Sequence, residues 1–170
     1  MTSLVILAWG NPSRGDDALG PEFLRRAGPL VAATPLDIAL VTDFQLQPEH
    51  AADLVGRDLA LFVDASLVAP APFSFDTVFP ARDRTFTSHA LSPAALLAVC
   101  ADAFPPPAPG GFTLAIRGER FELGEPIGVA AASSLDHALA FLRWLLATPD
   151  AAAWRLATRQ DVFAQTPLMA

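Results

Sequence analysis

The pattern of apolar and polar residues along the chain predicts five β-strands. Near-continuous apolar runs lie at 4–9, 36–42, 58–64 and 112–118. Such runs are typical of strands that are covered on both faces of a parallel sheet. A weaker stretch at 73–80 alternates apolar and polar residues, as an edge or antiparallel strand does. We therefore expect a mostly parallel sheet with one antiparallel strand.

Helical patterns separate these strands, at 20–33, 48–55, 92–104 and 133–146. The alternation of strands and helices predicts an α/β fold, a doubly wound three-layer α/β/α sandwich with right-handed crossovers. At 170 residues the chain has the length of one ordinary domain. We expect a single domain over residues 1–170, in which 150–170 form a last helix and a frayed tail.

Start and stop signals indicate some of the helix ends. Ser92, followed by Pro93, is a favourable N-cap for the third helix. Ser133 precedes an aspartate by three residues, an imperfect capping box that predicts the start of the fourth helix. The Gly-Pro pair that ends at Pro29 should end or kink the first helix.

Composition excludes several classes of protein. The chain is 52% hydrophobic and 17% charged, yet no apolar window reaches the roughly 18 residues of a membrane helix. The N-terminal segment lacks the basic and apolar regions of a signal peptide. Cys100 is the only cysteine, which excludes an intrachain disulfide and a thiolate-rich zinc site. These features predict a cytoplasmic protein with no membrane partner.

The basic residues limit the possible ligands further. The chain has eleven arginines, no lysine and a formal charge of −7, which argues against a surface that neutralises nucleic-acid phosphates. A Walker phosphate loop and Schiff-base catalysis both require a lysine. We therefore expect no nucleic-acid partner and neither of those mechanisms.

Acidic residues and one histidine follow the predicted strands. Asp16 and Asp17 come after the first strand, Asp43 and Asp64 follow the second and third, and His89 precedes the third helix. Ligands of open parallel sheets gather outside the carboxyl ends of the strands, so these side chains should project toward one edge. Carboxylates and an imidazole suit zinc, nickel or a similar divalent ion, with open positions left for water or substrate.

Each of these residues also has a purely structural explanation. An aspartate at a helix start, such as Asp16, is often an N-cap or a partner of the helix dipole. Asp43 and Asp64 could each accept a hydrogen bond from the following turn, and His89 could be a solvated residue before a helix. The sequence leaves both explanations open for each residue, and their combination favours a metal site.

Other motifs are absent or weak. The stretch GNPSRGDDALG (10–20) lacks the glycine spacing of a dinucleotide-binding loop, and its acidic pair would repel a pyrophosphate. Neither the G-x-S-x-G motif of serine hydrolases nor the H-E-x-x-H motif of zinc proteases occurs. We interpret Cys100 as a packed core residue, and His50 and His137 as surface residues.

The ordered motifs resemble those of the hydrogenase maturation proteases, the endopeptidases that remove the C-terminal extension of the large subunit of nickel-iron hydrogenases. The matching stretches are GNPSRGDDALG after the first strand, then TDFQLQPEHAADL, LFVDAS, TSHALSPAALL and FELGEP. They occur in the order of the family and cover nearly the whole chain.

The resemblance implies a function and a set of site residues. Asp17, Asp64 and His89 would be both the metal ligands and the catalytic residues. The supporting residues would be Asp16, Asp43 and Asn11. The family recognises nickel already installed in the precursor and cleaves after insertion is complete. The implied cofactor is thus nickel supplied by the substrate, the free enzyme need not carry a metal, and the implied partner is the large-subunit precursor.

Two other functions remain open. One is a non-catalytic accessory protein that binds nickel or the large subunit through the same three ligands. The other is a nucleotide-binding α/β module, which the absent lysine and the glycine spacing disfavour. Departures from the family pattern at Trp9, Ala18 and 124–135 leave the hydrogenase subgroup and partner open.

Overall fold

The part of the chain that the structure describes, residues 1–82 and 91–158 of a computed structural model, contains a five-stranded sheet. The strands are β1 (Ser3–Trp9), β2 (Asp37–Asp43), β3 (Leu59–Ser66), β4 (Phe73–Val78) and β5 (Gly110–Arg117). Their order across the sheet is β2-β1-β3-β5-β4. Only β4 is antiparallel to its neighbour, so the predicted sheet is confirmed.

Helices cover both faces of this sheet. One face packs against α1 (Leu19–Ala32) and α3 (Val129–Ala147). The other packs against α2 (Pro93–Ala103) and a 3-10 helix at Pro48–Leu54. The three-layer α/β/α arrangement is therefore confirmed.

Alternate residues of the central strands form the two cores. Leu4 and Ile6 of β1 belong to the core under α1 and α3, while Val5 and Leu7 belong to the core under α2. Successive side chains of a strand point to opposite faces, so a strand covered on both sides must be apolar throughout. This requirement explains the continuous apolar runs. Cys100 is buried in the α2 core, as predicted.

A last helix, α4 (Ala151–Ala157), follows α3 and packs on the edge strand β4. Its Trp154 is fully buried and meets Phe75 and Phe112 edge to face, at centroid distances of 6.1 and 5.1 Å. The predicted last helix is thus present, while residues 159–170 lie outside the described residues. No helix in the described ranges is both long and apolar enough to cross a membrane.

Two helix ends test the sequence signals directly. The Ser92 hydroxyl accepts a hydrogen bond from the Ala95 N–H at 3.1 Å, which confirms this residue as the N-cap of α2. By contrast, α1 does not end at Pro29 but continues to Ala32. Pro29 lies in the last turn, so the hydrogen bond that it cannot donate and the clash of its ring with the preceding turn affect only the end of the helix.

The predicted start of the fourth helix is wrong. Helix α3 begins at Val129 after the N-cap residue Gly128, so Ser133 lies inside the helix and caps nothing. The intervening alanines favour helix. The N–H of Gly128 donates to the Asp16 carboxylate at 2.7 Å, so a contact distant in sequence fixes the approach to the helix.

Candidate functional site

The ends of three neighbouring strands place Asp43, Trp9 and Asp64 on one face of the sheet. The register pairs Trp9 with Asp43, and Asp64 follows the last β3 residue that is paired with β1. The residues two positions earlier on each strand belong to the α2-side core, which fixes the common face. The two acids therefore lie at the predicted edge of the sheet, and Trp9 lies on β1, the strand between theirs.

Asp17 reaches this edge from the turn that follows β1. One of its carboxylate oxygens accepts a hydrogen bond from the Asn11 N–H at 2.9 Å. The Asn11 side chain in turn accepts a hydrogen bond from the Ser13 N–H at 2.9 Å, which closes the turn. Gly10 has φ +145°, and a Cβ there would lie 2.0 Å from the Asp17 carbonyl oxygen. The glycine-asparagine pair therefore has a physical role, because it allows the chain to approach Asp17 closely.

The Asp64 carboxyl group is held in an environment that disfavours its charge. Burial raises its pKa, and the nearby Asp17 charge raises it further. Hydrogen bonds from the Ala65 N–H, at 2.8 Å, and from the Trp9 side chain act in the opposite direction. The resulting pKa is about 7. Two carboxyl groups that repel each other in a partly buried setting form an arrangement that a bound cation would stabilise.

Asp16 points away from Asp17 and holds a distant loop. It is 2% exposed, and its carboxylate accepts three hydrogen bonds. The donors are the N–H groups of Glu119 (2.7 Å), Arg120 (3.0 Å) and Gly128 (2.7 Å). No described residue of the helix start donates to it, so Asp16 is not an N-cap. Its carboxylate instead ties the segment between β5 and α3 to the turn after β1.

The same contacts determine the ionisation of Asp16. Burial by itself raises the pKa of this carboxyl group, but the three main-chain hydrogen bonds and the Arg120 charge together lower it below its ordinary value. The backbone of the turn fits the same loop, since a Cβ on Gly15 would lie 2.4 Å from the Arg120 carbonyl oxygen. Asp16 is therefore a charged anchor, whereas its neighbour Asp17 is the acid whose charge acts on Asp64.

Asp43 forms a pair with a histidine that the sequence analysis assigned to the surface. The His50 side chain is only 13% exposed, and its Nε2 lies 3.3 Å from an Asp43 carboxylate oxygen. Its Nδ1 accepts the Gln47 N–H at 2.9 Å, so the Nε2 carries the proton and donates to Asp43. The surface interpretation of His50 is wrong, because the turn of Pro48–Leu54 folds the ring back onto β2.

The two acids at the strand ends also accept hydrogen bonds from the residues that follow them, as the structural explanation predicts. Asp43 accepts a hydrogen bond from the next residue's N–H at 2.6 Å, and Asp64 does the same at 2.8 Å. These contacts fix both acids in place, together with the His50 ring at the other oxygen of Asp43 and the Trp9 side chain at Asp64.

His89 lies outside the described residues, so its place relative to the two acids stays a prediction. Within residues 1–82 and 91–158, no group of three or more His, Cys, Asp and Glu side chains is arranged to hold a metal ion. The site as described therefore consists of the Asp17 and Asp64 carboxyl groups. Helix α2, which follows His89 in the sequence, begins at Pro93 and packs on the face of the sheet that carries Asp64.

Solved structures share this architecture. The [NiFe] hydrogenase maturation protease HycI from Thermococcus kodakarensis matches with a TM-score of 0.66 at 21% identity, over 85% of this chain and 92% of that one. The hydrogenase maturating endopeptidase HybD from Escherichia coli matches with a TM-score of 0.65 at 16% identity, over 83% and 90% of the two chains. No protein-family model and no curated protein sequence matches this chain.

Both matches extend over most of each chain, so the likeness concerns the whole architecture. The chain has the fold of the hydrogenase maturation proteases. In this hydrogenase maturation protease fold, the turn after β1 and the end of β3 bring Asp17 and Asp64 together.

Sequence reasoning missed the roles of Trp9 and His50. The Glu49-His50 pair beside a proline gave no periodic signal, and the contacts of Asp16 use main-chain N–H groups that leave no trace in the sequence.

Proposed function

We propose that the chain is a maturation endopeptidase that removes the C-terminal extension of a nickel-iron hydrogenase large-subunit precursor after nickel insertion. The observation that carries this proposal is the pair of Asp17 and Asp64 carboxyl groups at the carboxyl edge, with the pKa of Asp64 raised to about 7. Perturbed acids at such an edge are typical of functional sites. The fold shared with known maturation endopeptidases supports the same assignment.

The residue types suit nickel carried by the substrate. Two carboxylates and the imidazole of His89 would leave coordination positions open for groups of the precursor. A nickel ion between them would position the scissile bond and either polarise its carbonyl or activate a water molecule. The Asn11 N–H holds one oxygen of Asp17, which leaves the other oxygen for the ion.

The proposed partner is therefore a folded precursor protein, with no nucleic acid and no membrane involved. We expect the reaction to take place in the cytoplasm, where the single thiol of Cys100 stays reduced. Asp16 takes no part in the chemistry of this proposal, because its carboxylate is occupied by three main-chain donors. Its role is to hold the loop beside Asp17.

The test compares nickel-loaded and nickel-free precursor. Each is incubated with the purified chain, and mass spectrometry is used to detect the released C-terminal peptide. We expect release from the loaded precursor alone, and the same result for the control Asp53→Asn, since Asp53 is exposed and belongs neither to the turn after β1 nor to β3. No release from the loaded precursor, or equal release from both, contradicts nickel-gated cleavage. Tight binding of the loaded precursor without release would indicate an accessory protein instead.

A further inference from the structure

A cavity of about 340 Å³ lies between the end of β5 and the first turns of α3. Its polar lining consists of the side chains of Arg117, Glu119, Ser133, Ser134 and His137, and its apolar wall is formed by alanines and a proline. None of the strand-end acids lines it. The cavity is therefore distinct from the Asp17 and Asp64 site.

Arg117 offers unused hydrogen-bond donors at this cavity. One of its terminal nitrogens donates to the Ala69 carbonyl oxygen at 3.1 Å, which fixes the side chain. It forms no ion pair with any residue in the described ranges. A guanidinium group has five N–H donors in a planar fork that matches a carboxylate. A partly buried arginine held in this way is suited to an anionic group from another molecule.

Ser134 provides a second hydrogen-bonding group at the cavity. The residue is 6% exposed and lines the cavity, and its hydroxyl forms no hydrogen bond with any residue that the structure describes. Among the described residues, the one fully enclosed side-chain polar atom without a hydrogen-bond partner is a nitrogen of Arg57, so the Ser134 oxygen opens onto the cavity. Its O–H is therefore available to an acceptor placed there.

The remaining polar groups are acceptors. The His137 Nδ1 lies 2.8 Å from the Ser133 carbonyl oxygen, so it carries a proton, and Nε2 is an acceptor when the ring is neutral. The Glu119 side chain is exposed and, among the described residues, has no ion-pair partner. Donors for a carboxylate and acceptors for N–H groups in one cavity match an extended polypeptide that bears a carboxylate.

Glu119 also connects this cavity to the candidate site. Its main-chain N–H donates to Asp16 at 2.7 Å, and the residue lines the cavity. Asp16 is the chain neighbour of Asp17, so the two sites are connected through Asp16 and Glu119. We propose that the cavity binds a carboxylate of the polypeptide substrate, either its C-terminal carboxylate or an acidic side chain. This assignment rests on the proposed function, because that function makes a polypeptide the substrate.

The test measures peptide binding directly, by NMR titration in the presence of a chelator. The probes are N-acetyl-Ala-Ala-Val with a free carboxylate, its C-terminal amide, and N-acetyl-Ala-Asp-Ala amide. We expect at least one carboxylate peptide to bind about tenfold or more tightly than the neutral amide, and Arg117→Gln to weaken that binding by a similar factor. The binding of the first and third probes distinguishes a terminal carboxylate from a side-chain one. The control Arg143→Gln, at an exposed position of α3, should bind as the parent chain does.

A second variant keeps the test decisive if Arg117→Gln disturbs the fold through its contact with Ala69. Ser133→Trp adds bulk at an exposed position of the cavity rim and should also weaken binding. Equal binding of all three peptides, or unchanged binding in both variants, overturns the inference. Cleavage of the precursor without carboxylate-dependent peptide binding overturns the inference alone. Carboxylate-dependent binding without cleavage supports the cavity assignment and contradicts the proposed endopeptidase activity.

Discussion

At the scale of single residues, Asp64 is a side chain whose ionisation disfavours the folded state. Its pKa is raised from 3.8 to about 7, first by burial and then by the Asp17 charge. Between these two values the folded chain binds more protons than the unfolded chain, so the free energy of unfolding falls as the pH rises from about 3.8 to 7. Above a pH of about 7 the folded chain carries the full loss of stability that comes from the charged Asp64. A cation bound at the site would offset this loss.

Replacing Asp64 by asparagine should therefore stabilise the metal-free chain at pH above 7. We expect Asp64→Asn to increase the free energy of unfolding by about 1–3 kcal/mol there, and to change it little near pH 4, because one pKa unit corresponds to about 1.4 kcal/mol. Urea denaturation across the pH range, with a chelator present, measures both values. Asp53→Asn is the control, and a loss of stability in Asp64→Asn at alkaline pH would contradict the account.

At the scale of elements, one carboxylate holds the segment that links β5 to α3. Asp16→Asn replaces a charged acceptor of three main-chain donors. It should lower the free energy of unfolding by about 1.5–3 kcal/mol at neutral pH. Amide hydrogen exchange should also become faster at Glu119, Arg120 and Gly128, since their N–H groups lose that acceptor.

The pH dependence of this anchor has the opposite sign to that of Asp64. The folded-state pKa of Asp16 lies below its ordinary value of 3.8, so its contribution is fully present above that value and is lost as the pH falls through the folded-state pKa. The stability difference between the parent chain and Asp16→Asn should thus shrink in strong acid. Unchanged hydrogen exchange in the three amides would show that the loop is held by something else.

The two serines near helix starts should respond differently to the same substitution. Ser92→Ala removes the hydroxyl that accepts the Ala95 N–H and should cost about 1 kcal/mol. Ser133→Ala replaces an exposed serine inside α3 and should be neutral or slightly stabilising, because alanine is the better helix former. Thermal unfolding of both variants measures the contrast. Equal destabilisation would mean that Ser133 does cap a helix.

At the scale of the whole molecule, the sequence was sufficient to predict the sheet, because central strands such as β1 and β3 are covered on both faces and must be apolar throughout. The edge strand β2 has a similar apolar run although none of its residues is buried. It also predicted that Asp43 and Asp64 would share an edge, since parallel strands end on the same side. It could not predict the start of α3 or the contacts of Asp16. Both depend on hydrogen bonds between the Asp16 carboxylate and main-chain N–H groups more than a hundred positions away from it along the chain.

The burial of His50 could not be predicted from the sequence either. Its position follows from a turn that returns the ring to Asp43, and a lone histidine after a proline gives no periodic signal for such a turn. The pairing leaves Asp43 held by a neutral imidazole. The strand register places Asp43 at the same edge as Asp17 and Asp64, and we propose that it supports the site without being a ligand.

The central claim is that Asp17 and Asp64 carry the reaction on a nickel-loaded precursor. The most direct measurement is the rate of release of the C-terminal peptide by the parent chain and by Asp17→Asn, Asp64→Asn, Asp43→Asn and Asp53→Asn, with each fold checked by circular dichroism. We expect a loss of about a hundredfold or more in the first two variants, a smaller loss in Asp43→Asn, and none in Asp53→Asn. If Asp43→Asn impairs release more than Asp17→Asn does, or if Asp17→Asn and Asp64→Asn retain the parent rate, the assignment of the site is wrong.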